Sequence, residues 1–137
     1  MGPFVADTSI TLAWCFADES TESSRNILAG LQNAYAVVPS LWPFEVANAL
    51  ASAERRGRIT QPEISGFFQF LNQMPIHIER RESLWLWQAI LPLARQHRLT
   101  AYDAAYLDLA KRESLPLATL DENLQQAALA LQIRVIG

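Results

Sequence analysis

The chain is poor in three residue types that carry much of protein chemistry: it has one cysteine, one lysine and five glycines in 137 residues. A single cysteine excludes an internal disulfide and fits a reducing cytoplasm, the expected location. Cys15 lies in the run Leu12-Ala13-Trp14-Cys15-Phe16, where a small buried hydrophobe is expected rather than a nucleophile. The two histidines, His77 and His97, have no partners at zinc-ligand spacing. There is no glycine-rich phosphate cradle and no serine elbow. No apolar run approaches the roughly 20 residues of a membrane span, and no basic segment followed by an apolar one opens the chain. Positive charge is also short, with 11 Lys and Arg against 14 Asp and Glu and a net charge of −3. That balance argues against indiscriminate binding to nucleic acid.

Hydrophobic residues, by contrast, make up 50% of the chain, enough for a core that needs no covalent staples. Without repeats or linker-like stretches, residues 1–137 are expected to form one domain. Short β-rich runs alternate with longer helical ones, the pattern of an α/β fold with a parallel sheet between helices. Strands are expected at Phe4-Val5-Ala6, Ala36-Val37-Val38, Ile76-His77-Ile78, Leu117-Ala118-Thr119 and Arg134-Val135-Ile136. Helices are expected from about Thr8 to Phe16, Thr21 to Leu31, Trp42 to Arg56, Ser83 to His97, Ala101 to Arg112 and Glu122 to Leu131. Another starts at Thr60-Gln61-Pro62-Glu63, which combines a capping box with a first-turn proline. Gly57 suits a left-handed helix cap, and Pro92 is expected to kink or split its helix.

Four acids fall at related places in this pattern. Asp7 follows the first strand, Glu45 opens the helix after the second, and Asp121 follows the strand at Leu117. Asp103 opens the helix that leads into that strand. In an open parallel sheet these positions share the carboxyl edge, where α/β proteins bind ligands. Each acid also has a purely structural explanation. Asp7 and Asp121 can cap helices, Glu45 can complement a helix dipole, and Asp103 can answer Thr100 in a capping arrangement. Clustered beside apolar strands, however, the carboxylates repel one another and lose solvation. A divalent cation relieves both effects. Mg²⁺ and Mn²⁺ prefer hard oxygen ligands and keep several waters, which suits carboxylates on an open edge. Thr8, Ser9 and Thr119 supply hydroxyls that can orient such ligands.

In Val5-Ala6-Asp7-Thr8-Ser9, Glu45-Val46-Ala47-Asn48-Ala49-Leu50, Thr100-Ala101-Tyr102-Asp103-Ala104-Ala105-Tyr106 and Ala118-Thr119-Leu120-Asp121-Glu122-Asn123-Leu124, the sequence resembles the PIN-domain family. Within that family it resembles the VapC toxins of bacterial toxin–antitoxin pairs. The resemblance implies a three-layer α/β/α fold whose five-stranded parallel sheet has the order 3-2-1-4-5. It also implies metal-dependent cleavage of RNA by Asp7, Glu45, Asp103 and Asp121 around Mg²⁺ or Mn²⁺. Asp7 and Asp103 are the main expected metal contacts, with Asp121 direct or through water. Glu45 positions or deprotonates the attacking water, or is itself a ligand. Thr8, Ser9 and Thr119 are supporting residues, and Asn48, one turn beyond Glu45, is a further candidate. A homodimer is implied, as is a small VapB-like antitoxin whose C-terminal segment covers the acidic groove. One departure is Gln132, which stands where many relatives have a glycine.

The remaining residues are expected to be structural. Trp14, Trp42, Trp85 and Trp87 are core or interface anchors, and Asp108 is a surface acid paired with Arg112 one turn on. The arginine clusters Arg55-Arg56-Gly57-Arg58, Arg80-Arg81, Arg95 with Arg98, and Lys111-Arg112 could contact phosphate or simply be solvated helix ends. A phosphoaspartate enzyme fits poorly: Ser9 stands where a second aspartate is needed, and the lone lysine lies in a helix. The main alternative is a catalytically silent PIN-like module that binds RNA or protein.

Overall fold

The strand β1 (Phe4–Ala6) is completely buried, and a sheet has been built outward from both of its sides. In the computed structural model, which describes residues 2–80 and 86–137, β1 pairs in parallel with β2 (Ala36–Val38) and with β4 (Leu117–Ala118). The strands β3 (Ile76–Ile78) and β5 (Val135–Ile136) pair in parallel at the two edges. The order is β3-β2-β1-β4-β5, as the resemblance implied. Between the strands run α1 (Thr8–Ala13), α2 (Glu22–Gly30), α3 (Trp42–Arg55), α4 (Gln61–Gln73), α5 (Leu86–His97), α6 (Ala101–Glu113) and α7 (Glu122–Ala130). Right-handed crossovers put α1 to α4 on one face and α5 to α7 on the other, and α1 packs on α3 while α6 packs on α5 and α7.

Local signals account for most helix ends. Thr21 and Thr60 each close a reciprocal capping box, and Thr100 accepts a hydrogen bond from Asp103 N. Gly57 has φ 76°, and Gln132 takes φ 61°, also in the left-handed region. The first helix is shorter than expected, ending at Ala13 before a 3-10 turn over Ala17–Glu19.

One expectation is narrowed and another fails. Of the kink or split expected at Pro92, the split does not occur: α5 is helical without a break from Leu86 to His97. Proline removes one backbone bond, but Leu93 and Ala94 are buried and the helix lies along α6, which supports it. Asp108 is not on the surface: it is 5% exposed. Its helical offset from Asp103 leads to another packed face instead of water, because α6 is covered by α5, α7, β1 and β4. Arg112 accompanies it inward, bonding Asp108 at 2.7 Å and Glu79 at 2.9 Å. The expected helix start at Ser83, with Arg81 and Trp85, lies outside the described residues. Among the described residues no helix is long and apolar enough to cross a membrane.

Candidate active site

Strand order reverses between β1 and β4, so the loops leaving these two strands part toward opposite faces and open a crevice. Asp7 N donates to Ala118 O at 3.1 Å, fixing one loop against the other strand. The Asp7 carboxylate then does two things at once. Oδ1 caps α1 by accepting from Ile10 N at 3.1 Å and also accepts from Ser9 Oγ at 2.6 Å. Oδ2 accepts from Thr119 Oγ1. The two hydroxyls pass the connection on: Ser9 Oγ accepts from Leu120 N at 2.9 Å, and Thr119 Oγ1 accepts from Asp121 N at 3.0 Å. The helix-cap explanation of Asp7 is thus correct and incomplete, since capping is also what locks the carboxylate in place.

Asp121 is exposed and caps α7 through Leu124 N at 3.0 Å. Glu45, in the first turn of α3, accepts from Thr8 Oγ1 at 2.9 Å and from the Tyr106 hydroxyl at 2.7 Å, both on Oε1. Among the described residues its Oε2 has no hydrogen-bond partner. Asp103 stands half-buried in the first turn of α6. Asn48 is exposed and lines a cleft of about 300 Å³ with Leu41, Phe44, Glu45 and Tyr102.

Electrostatics joins these groups. Asp7 is 5% exposed, and burial lifts its carboxyl to about 6 despite the Ser9, Thr119 and Ile10 donors, with Asp103 adding repulsion. Asp103 is also pushed above the usual carboxylate range, first by burial and then by the charges of Asp121 and Glu45. Hence the four acids feel one another, and among the described residues none of them pairs with a cation. No group of three or more acidic, histidine or cysteine side chains among those residues is drawn together to hold an ion. All the available donors are hard oxygens, the set that Mg²⁺ and Mn²⁺ accept.

Sequence reasoning missed Tyr106. It is 1% exposed, and burial together with the Glu45 bond keeps its hydroxyl protonated. The available signal was its spacing, three residues after Asp103 and therefore on the same side of α6. Other residues keep structural roles. His77 stacks on Tyr35, and the indoles of Trp14 and Trp42 donate to Ser24 O and Thr11 Oγ1. Arg58 is held by Asp18 and Glu19 over the Phe16 ring, and Arg112 by Asp108 and Glu79. These two guanidinium groups are therefore already engaged within the chain.

The fold is that of the PIN domain, and the chain belongs to that family: the PIN-domain model matches residues 4–129. The chain is 29% identical over 127 residues to Ribonuclease VapC3 of Pyrobaculum aerophilum, covering 93% of this chain and 95% of that protein. The crystal structure of PAE2754 from Pyrobaculum aerophilum superimposes with a TM-score of 0.70 at 20% identity, covering 91% of this chain and 84% of the other. That of FitAcB from Neisseria gonorrhoeae gives 0.61 at 18% identity, covering 100% of this chain and 97% of the other.

Proposed function

We propose that the chain is a divalent-metal-dependent endoribonuclease, the toxin of a VapC-type toxin–antitoxin pair. The observation that carries this is Asp7: a buried carboxylate, locked by three donors, repelled by a neighbouring acid and given no cation by the described residues. Such an arrangement lacks only positive charge. Asp7, Asp103 and Asp121 would hold Mg²⁺ or Mn²⁺, with Glu45 beside them. When bound, the ion neutralises these acids and polarises the phosphate and a water.

The chain's own residues divide the remaining work. Ser9 and Thr119 fix the orientation of Asp7, and Thr119 also fixes the start of the Asp121 loop. Thr8 and Tyr106 hold Glu45 by one oxygen, leaving Oε2 to orient the attacking water and take its proton. Tyr106 is a positioning residue acting through Glu45. We expect Tyr106→Phe to lower kcat for RNA cleavage about 10- to 100-fold with KM nearly unchanged, the usual scale for a lost supporting bond at a metal site. An equal loss in both constants, or a lowered melting temperature that explains the loss, would assign Tyr106 a purely structural role.

The decisive experiment is cleavage of a mixed cellular RNA pool by the purified chain in Mg²⁺ or Mn²⁺, in chelator, and by Asp103→Asn. We expect cutting with metal and none in chelator or in the variant. A folded, ion-binding chain that cuts nothing would favour the silent binding module. The toxin role predicts a gene for a short DNA-binding antitoxin next to this one, whose C-terminal segment covers the acids. A homodimer is also proposed. Trp87, 60% exposed, and Leu91, one turn on, give α5 an apolar face that a second copy can cover.

A further inference from the structure

The linker Thr119-Leu120-Asp121 joins β4 to α7 and bears on two site acids at once. It contains Asp121, and its Thr119 hydroxyl donates to Asp7 Oδ2. All three of its backbone N–H groups are engaged. Thr119 N donates to Ile136 O at 3.0 Å, Leu120 N to Ser9 Oγ at 2.9 Å, and Asp121 N to Thr119 Oγ1 at 3.0 Å. Thr119 is completely buried, so its carbonyl also needs a partner.

Gln125, in the first turns of α7, provides it. Its side-chain Nε2 donates to Thr119 O at 2.8 Å, while its backbone N donates to Asp121 O at 2.9 Å. One residue therefore ties both ends of the linker to the same helix turn. The backbone bond is generic to a helix. The amide bond is not, because it needs a donor at the end of a side chain of this length. Gly137, at φ 129°, lies against the same carbonyl, and a Cβ there would overlap Thr119 O. Anchoring α7 does not account for the Gln125 amide. That helix is already capped by Asp121 at Leu124 N and seated by buried Leu124, Ala127 and Ala128.

We infer that Gln125 is a positioning residue of the ion site, acting through the Thr119 carbonyl. Rotation of that peptide would carry Thr119 Oγ1 away from Asp7 Oδ2 and Asp121 N together, so two acids would lose their mutual placement. Mg²⁺ demands near-ideal octahedral geometry and is sensitive to such a shift. The inference rests on the proposal of an ion-dependent nuclease. It adds a group that touches neither the ion nor the substrate.

The test reads ion binding apart from cleavage. Mn²⁺ is titrated into the purified full chain without RNA, and the free ion is followed by its EPR signal. Gln125→Met keeps the side-chain length and the helix propensity but has no donor. We expect it to weaken Mn²⁺ binding about tenfold, the low end for partners that orient metal ligands. Gln126→Met, at the exposed neighbouring position, should bind as the wild type does. In chelator both variants should melt within about 5 °C of the wild type, since at most one neutral hydrogen bond is lost. RNA cleavage by Gln125→Met should fall at limiting Mn²⁺ and recover in excess ion, with KM for RNA unchanged. Mn²⁺ binding by Gln125→Met within about twofold of the wild type, or an equal loss in Gln126→Met, would overturn the role. A much lower melting temperature for Gln125→Met would assign the residue to the fold instead. A folded wild type that binds no Mn²⁺ would remove the ion site itself, and the positioning role with it.

Discussion

Asp7→Asn is expected to unfold at a higher temperature than the wild type at neutral pH and to cut no RNA. The Asp7 carboxyl is raised from 3.8 to about 6, chiefly by burial. Below about pH 4 the group is neutral in both folded and unfolded chains, so burial carries little penalty. As pH rises toward 6 the unfolded chain ionises first, and stability falls. Above about pH 6 the folded chain must hold the charge too, and the loss levels off. A shift of this size corresponds to about 3 kcal/mol. Asparagine removes it, while its oxygen and the rotatable Ser9 and Thr119 hydroxyls preserve most of the bonding. Allowing for weaker neutral hydrogen bonds, we expect a gain of about 2 kcal/mol. Urea denaturation in chelator between pH 4 and pH 8 checks this, and the variant should lose the wild type's decline over that range. Added Mg²⁺ should stabilise the wild type and leave Asp7→Asn nearly unmoved, since an ion binding only the folded state raises stability by mass action. A variant less stable than the wild type at pH 7 would mean that Asp7 is held for the fold and not for an ion.

Arg112→Met is expected to be among the most destabilising changes outside the site. Its guanidinium reaches Asp108 at 2.7 Å on its own helix and Glu79 at 2.9 Å just past β3. Removing it leaves the nearly buried Asp108 without its counter-charge, which costs roughly 3–5 kcal/mol. That is a large part of the total for a domain of this size, typically about 5–15 kcal/mol. The second substitution is the diagnostic one. Asp108→Leu with Arg112→Met should recover most of the loss, because an apolar pair needs no compensation where a lone carboxylate does. A denaturation midpoint of Arg112→Met close to the wild type's would show that water reaches Asp108 freely.

Much of the fold was legible because its signals are local. Thr21, Thr60 and Thr100 cap their helices through residues only three positions away, and Gly57 takes its left-handed turn whatever surrounds it. The acids were singled out because a strand followed by a helix start fixes which edge of a parallel sheet they occupy. Asp7 was open to two readings, since a helix cap and a metal ligand use the same carboxylate oxygens. Contacts distant in sequence were another matter. Nothing in the chain's periodicity announces that Tyr106 reaches Glu45, 61 positions away, at 2.7 Å. Asp108 seemed to face solvent because helical spacing tells one face from another, but not which faces are covered.

The sequence by itself determined the alternation of strands and helices, most of their ends, and the placement of Asp7, Glu45, Asp103 and Asp121 after strands or at helix starts. These depend on hydrogen bonds and side-chain periods within a few residues. Only the tertiary structure decided that α6 is enclosed, that Arg112 is drawn inward, and that Pro92 is carried in an unbroken helix. It also decided that Phe44 and Tyr102 stay open beside the acids. Those outcomes depend on which surfaces pack together, and packing joins residues that are far apart along the chain.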